Sequence, residues 1–158
     1  MADPIPATGA WRPGDEPGRR QFASLFSSRP HVLEAGGQIG NITIAYETWG
    51  TLAPDRSNAV LVLHALTGDS HAAGPSELGH PHDGWWSEVI GPGKAIDTDR
   101  FYVVCPNVFG GCQGTTGPSS INSRTGKPFG ATFPIVTVRD QAVIESALAD
   151  SLGITEWS

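Results

Sequence analysis

Residues 60–74 read V-L-V-L-H-A-L-T-G-D-S-H-A-A-G. A run of branched apolar residues passes directly into a small, polar loop, His64-Ala65-Leu66-Thr67-Gly68-Asp69. Such a run suits a strand buried on both faces, as in parallel sheets. In open parallel sheets ligands lie beyond the carboxyl ends of the strands. A rigid loop there can present backbone N–H groups to a carbonyl oxygen that gains negative charge during acyl transfer. Each such donor contributes about 2.7–4 kcal/mol in the transition state. Taken alone, the local pattern also fits an ordinary glycine-containing turn.

Other groups in the chain admit other chemistry. His64, Asp69, His71, His80, His82 and Asp83 are titratable and close in sequence, but their spacing matches no metal-ligand motif. Exposed loop histidines are the expected reading, and no metal is assigned. His64, which closes the buried strand, is expected to order the loop by hydrogen bonding and not to abstract a proton. Residues 110–117, G-G-C-Q-G-T-T-G, lack the Gly-Lys-Ser/Thr ending of a phosphate-binding loop. Residues 91–96, G-P-G-K-A-I, fail the dinucleotide fingerprint at its third glycine and precede a strand instead of following one. Both nucleotide readings are rejected. Cys112 has no motif that would make it a nucleophile. No G-x-S-x-G serine elbow occurs anywhere in the 158 residues.

These groups need a scaffold. Residues 31–35 and 42–49 read as strands around a turn at Gly36-Gly37, with Ile42, Ile44 and Tyr46 on one face and Thr43, Ala45 and Glu47 on the other. Residues 59–63 and 101–105 read as buried strands, and residues 83–90 as a short helix stopped near Gly91-Pro92. Residues 107–134 show almost no periodicity, and a connection of that length is expected to be functional. Residues 137–152 give the clearest helix. Val138, Ala142, Ala147, Leu148 and Leu152 recur at helical spacing, with Val143 and Ile144 widening the stripe. Thr137 is the expected N-cap and Gly153 the stop. Residues 1–30, rich in Pro, Gly and charge, read as a disordered leader. The remainder, 31–158, reads as part of one α/β domain.

Composition narrows the function. A net charge of −6 and no basic stripe exclude an intrinsic nucleic-acid binder. No apolar stretch approaches the roughly 20 residues of a membrane helix. The N-terminus lacks a signal-peptide pattern, so cytoplasm is the expected location. Two cysteines, Cys105 and Cys112, are expected as free thiols and not as a disulfide.

Several stretches taken together are more specific than any one of them. They are I-A-Y-E-T-W-G-T-L (44–52), H-A-L-T-G-D-S-H-A-A-G (64–74), G-W-W (84–86), I-G-P-G-K-A-I-D-T-D-R (90–100), N-V-F-G-G-C-Q-G-T-T-G-P-S-S-I-N (107–122), T-G-K-P-F-G (125–130) and F-P-I-V-T-V-R-D (133–140). Over residues 31–158 the sequence resembles the N-terminal part of the homoserine O-acetyltransferases. The resemblance implies an α/β-hydrolase fold, mostly parallel with an N-terminal antiparallel hairpin, lacking the part that follows residue 158. It implies acetyl-CoA as co-substrate, L-homoserine as acceptor, a serine acyl-enzyme, and a homodimer for the full-length family. A His and an Asp would activate the serine. It also makes the backbone N–H of Leu66 one donor of the oxyanion hole. The elbow of type G-G-S-M-G-G and the triad are not in this sequence, so the chain alone is expected to be inactive. The alternatives are succinyl transfer, transfer to serine, hydrolysis, or a non-catalytic binding module.

Overall fold

The computed structural model describes residues 10–158. Ten strands and one α-helix follow in chain order: β1 (Gln21–Leu25), β2 (His31–Val32), β3 (Gln38–Ile39), β4 (Ile42–Trp49), β5 (Ala59–Leu61), β6 (Ile90–Gly91), β7 (Ile96–Asp97), β8 (Tyr102–Pro106), β9 (Ile121–Asn122), β10 (Lys127–Pro128) and α1 (Val138–Leu152). The main sheet has the order β1-β4-β8-β5. β1 and β8 run antiparallel to β4, while β5 lies parallel to β8. The chain therefore leaves β4 for the far edge at β5 and returns to fill the gap with β8. Residues 154–158 start along the outer side of β5, where the Ser158 N–H donates to the Ala59 carbonyl at 2.7 Å.

Period-two alternation divides the core into two layers. Ile42, Ile44, Tyr46 and Val104 face α1, where they meet Leu25, Leu33, Phe109, Ile144 and Leu148. Val103 and Cys105 face the opposite way, against Val62, Ala72, Ala73 and Ile90. Glu47 shares that second face with Cys105, its partner across the ladder.

The helix begins as its sequence predicts. The Thr137 hydroxyl accepts from the Asp140 N–H, the Asp140 carboxylate accepts from the Thr137 N–H, and Gly153 closes the helix in a left-handed conformation. The buried stripe is rotated from the expected one. It comprises Asp140, Ile144, Leu148 and Ala149, whereas Val138 and Val143 are exposed. Asp140 causes the rotation, because its carboxylate also accepts from the Glu34 N–H and the His31 ring, both at 3.0 Å. Burial alone would raise the pKa of this carboxyl, but the Thr137 and Glu34 amides, the His31 ring and the Thr137 hydroxyl hold it down to about 2. A carboxyl whose folded pKa lies below its unfolded value of about 3.9 stabilises the fold above that value. That contribution disappears as pH falls towards the folded value. Asp140→Asn is expected to lower the melting temperature at neutral pH, with the gap to wild type narrowing between pH about 4 and about 2. A gap independent of pH in a melting series would contradict this.

Three expectations are corrected. Gln21–Leu25, within the stretch read as a leader without structure, forms β1, and residues 10–20 carry side chains bonded to the body of the domain; residues 1–9 of that leader lie outside the described residues. The hairpin around Gly36-Gly37 joins β2 to β3, and β4 pairs instead with β1 and β8. Residues 85–89 form turns and Ile90 enters β6, where an expected helix is absent; the Gly84 and Trp86 N–H groups tie this segment to the carbonyls of Gly74 and Ala72. Among the described residues no helix is long and apolar enough to cross a membrane.

Candidate acyl-transfer site

The parallel pair β5 and β8 brings two loops to one end of the sheet. The Val62 N–H still donates to the Val104 carbonyl, after which the first loop leaves the sheet. It bends in a turn closed by the Gly68 N–H on the Ala65 carbonyl at 2.9 Å. His64 locks that bend in place. Its Nδ1 lies 2.7 Å from the Ala65 carbonyl oxygen, and its Nε2 accepts from the Val108 N–H at 3.2 Å. Those contacts specify the Nδ1–H tautomer and leave no free nitrogen for proton abstraction. The ring is a brace between the two loops, as its place at the strand end suggested.

Leu66 lies at the crest of this turn with its side chain fully exposed (101%). Its N–H donates to no group among the described residues. The crest borders a cleft of about 1010 Å³. Val108, Phe109, Phe133 and Val136 supply an apolar wall, while Asn107 and Gln141 supply polar groups. A second cleft, about 660 Å³, opens on the other side of the same loop between Arg20, Asp69, Asp83 and Trp85.

The aperiodic stretch after β8 is ordered by side-chain bonds. The Ala45 N–H donates to the Thr115 hydroxyl, and the Thr43 N–H to the Thr116 hydroxyl. The Asn107 amide bonds the Ser70 hydroxyl and the Gln113 carbonyl, so this stretch continues the ladder along β4 and floors the cleft. Cys105 is buried and its thiol is pushed far up in pKa by burial and by the carboxylates of Glu47 and Asp69. Cys112 is exposed on the cleft rim, and both thiols are free.

Two histidines expected at the surface are inside. Glu47 Oε2 lies 2.9 Å from His71 Nδ1, and Glu47 Oε1 accepts from the Ser70 hydroxyl at 2.8 Å and lies 3.4 Å from His80 Nε2. All four side chains are buried, whereas His82 is exposed. Burial lowers the pKa of His80; Glu47 and Asp69 act to raise it, while Arg20 and His71 act to lower it. Glu47, His71 and His80 are also the group whose ligand atoms could approach a metal among the described residues. The rings oppose that use: they stack at 4.0 Å with planes 14° apart. An ion in the plane of one ring would lie well out of the plane of the other, and imidazole coordinates through its in-plane lone pair. Glu47, Ser70 and His71 form a hydrogen-bonded core, and His80 stacks on it with Nε2 accepting from the Arg19 N–H at 3.2 Å and Nδ1 buried without a partner among the described residues. Sequence reasoning missed it because alternation sets Glu47 opposite Ile42, Ile44 and Tyr46, and only the second core layer makes that face interior.

This mixed sheet, with a donor-bearing loop after its parallel edge strand, is part of an α/β-hydrolase fold. No family model matches the chain. Esterase E22 is similar in structure, with a TM-score of 0.78 and 41% identity over 87% of this chain and 38% of its own. The homoserine O-acetyltransferase of Bacillus anthracis gives 0.77 and 35% over the same shares. In sequence, the homoserine O-acetyltransferase of Thermobifida fusca is 58% identical over 98% of this chain and 40% of its own length. That of Clavibacter michiganensis is 57% identical over 97% and 38%. The chain belongs to the homoserine O-acetyltransferase family, and it spans about two fifths of the length of the curated relatives it matches.

Proposed function

We propose that these 158 residues supply the oxyanion-loop portion of an enzyme that moves an acetyl group from acetyl-CoA to the hydroxyl of L-homoserine. The observation that carries this reading is the unpartnered Leu66 N–H at the crest of a braced loop, beside a cleft at the carboxyl ends of two parallel strands. In the family's chemistry a serine oxygen attacks the thioester carbonyl, and its proton passes to the histidine. Negative charge gathers on the carbonyl oxygen, which accepts a hydrogen bond from Leu66. The carbon–sulfur bond breaks and CoA leaves with the proton. The homoserine hydroxyl then gives its proton to the histidine and attacks the acetyl-serine, the same carbonyl oxygen is stabilised a second time, and the bond from the serine oxygen to the acetyl carbon breaks as the histidine returns the proton to serine. Ser158 is not read as the nucleophile, because its N–H donates to the Ala59 carbonyl beside β5 and its hydroxyl to the Ser57 carbonyl.

Transfer to water is the second reading. It is favoured by esterase E22, whose identity to this chain exceeds that of the Bacillus anthracis acetyltransferase. The apolar wall of the larger cleft favours transfer, because excluding water protects an acyl-enzyme from hydrolysis. The deciding assay follows CoA release by the full-length protein with and without L-homoserine, with O-acetylhomoserine identified by mass. Release that depends on homoserine and yields that product is expected. Equal release without homoserine would replace the reading with the hydrolase. The 158-residue chain alone is expected to stay at the uncatalysed rate.

A further inference from the structure

We infer that Arg20 is a positioning residue that holds the oxyanion loop from the far side, an inference that rests on the acyl-transfer reading above. The side chain of Arg20 is 2% exposed. One terminal nitrogen donates to Asp69 Oδ2 at 3.3 Å and to Gln113 Oε1 at 3.2 Å; the other donates to the carbonyls of Gly79 and Pro17. Asp69 closes the loop that carries Leu66, and Gln113 belongs to the opposing loop after β8. One guanidinium thus joins both walls of the site to the strap formed by residues 10–20. His64 braces the start of the catalytic loop, and Arg20 braces its end.

The bonding is that of a device for geometry more than for stability. Burying a cation is expensive, and its Asp69 partner keeps 28% of its side chain exposed. The fifth donor, the Arg20 Nε–H, is buried without a partner among the described residues. What the arrangement does provide is a planar fork that sets the distance between two loops at once. The other half of Asp69 is also committed, since Oδ1 accepts from the His71 N–H and the backbone carbonyl accepts from Trp85 Nε1. A shift of Arg20 therefore moves the loop end, and with it the Leu66 amide. Misplacing a reacting group by about 1 Å can cost about 10²-fold in rate.

The test uses the full-length protein with Arg20→Lys, Asp69→Asn, the double variant, and Arg19→Gln as a control. Arg19 sits on the same strap but makes an exposed pair with Glu77 at 3.0 Å. Arg20→Lys and Asp69→Asn are each expected to lower kcat about 10-fold to 10²-fold with KM within about twofold, and faster amide exchange is expected across residues 64–69. The double variant should be no worse than the more severe single one, since both break the same contact. Arg19→Gln should match wild type. Should Arg20→Lys fail to fold, Asp69→Asn decides. Unchanged kcat and unchanged exchange in a folded variant, or fully additive losses, would overturn the inference. If the wild type transfers no acetyl group but hydrolyses p-nitrophenyl acetate, the same kcat comparison is made on that ester. If it does neither, the acyl-transfer reading fails, and the exchange rates alone decide whether Arg20 holds the loop.

Discussion

Leu66→Pro in the full-length protein will cut acetyl transfer by about 10²–10³-fold while leaving the melting temperature close to wild type. The asymmetry follows from the geometry. Proline removes one backbone N–H, the group proposed to meet the carbonyl oxygen, and that N–H holds no hydrogen bond of the turn, which is closed by Gly68 on Ala65. Position 66 is the second residue of the turn closed from Ala65 to Gly68, where the fixed backbone angle of proline is favoured. The leucine side chain is fully exposed, so little packing is lost with it. Leu66→Ala separates the two effects, because it deletes the side chain and keeps the N–H. It should retain activity within about threefold, well short of the loss of a donor. Paired measurements of kcat/KM and thermal unfolding would check both variants. A proline variant with near-normal turnover would remove Leu66 from the oxyanion hole and with it the main support for the functional reading.

Glu47→Leu should be the most damaging single change to the fold, at roughly 3–5 kcal/mol. The carboxylate joins β4 to a segment that has no strand pairing to it, through Ser70 and His71, with the His80 ring packed against them. Leucine matches the volume approximately but leaves the buried His71 Nδ1 and Ser70 hydroxyl without their acceptor. Each stranded donor costs about 1–3 kcal/mol. For a domain of this size the loss corresponds to a fall of roughly 6–20 °C in melting temperature. Glu47→Gln keeps the shape and one acceptor oxygen, so it should lose distinctly less. Equilibrium denaturation of the three proteins gives the comparison. A leucine variant within about 1 kcal/mol of wild type would mean that the cluster contributes little and that the histidines find other partners. Because Ser70 and His71 directly follow the loop that carries Leu66, activity should fall at temperatures below the new melting point.

What the sequence by itself determined is the part governed by local forces. The α1 helix is bounded by a capping box and a left-handed glycine, both of which act within a few residues of the helix ends. β4 is legible from its alternating Ile42, Ile44 and Tyr46, and β5 from its apolar run, although that strand ends at Leu61 and Leu63 is exposed. These features depend on neighbours in the chain, so they are legible from it. Tertiary structure decided the rest. β1 has a weak pattern of its own and becomes a strand because β4 offers a free edge. The turns at 85–89 stand where a helix was expected, and the segment is docked through its Gly84 and Trp86 N–H groups on carbonyls at 74 and 72 and ends in the pairing of β6 with β7. Asp140 rotates the helix because a distant amide and imidazole turn its carboxylate inward. Glu47 meets His71 and His80, and Arg20 meets Asp69, across separations at which sequence carries no distance information. A buried charge shows that partners must exist, and only the packed chain decides which they are.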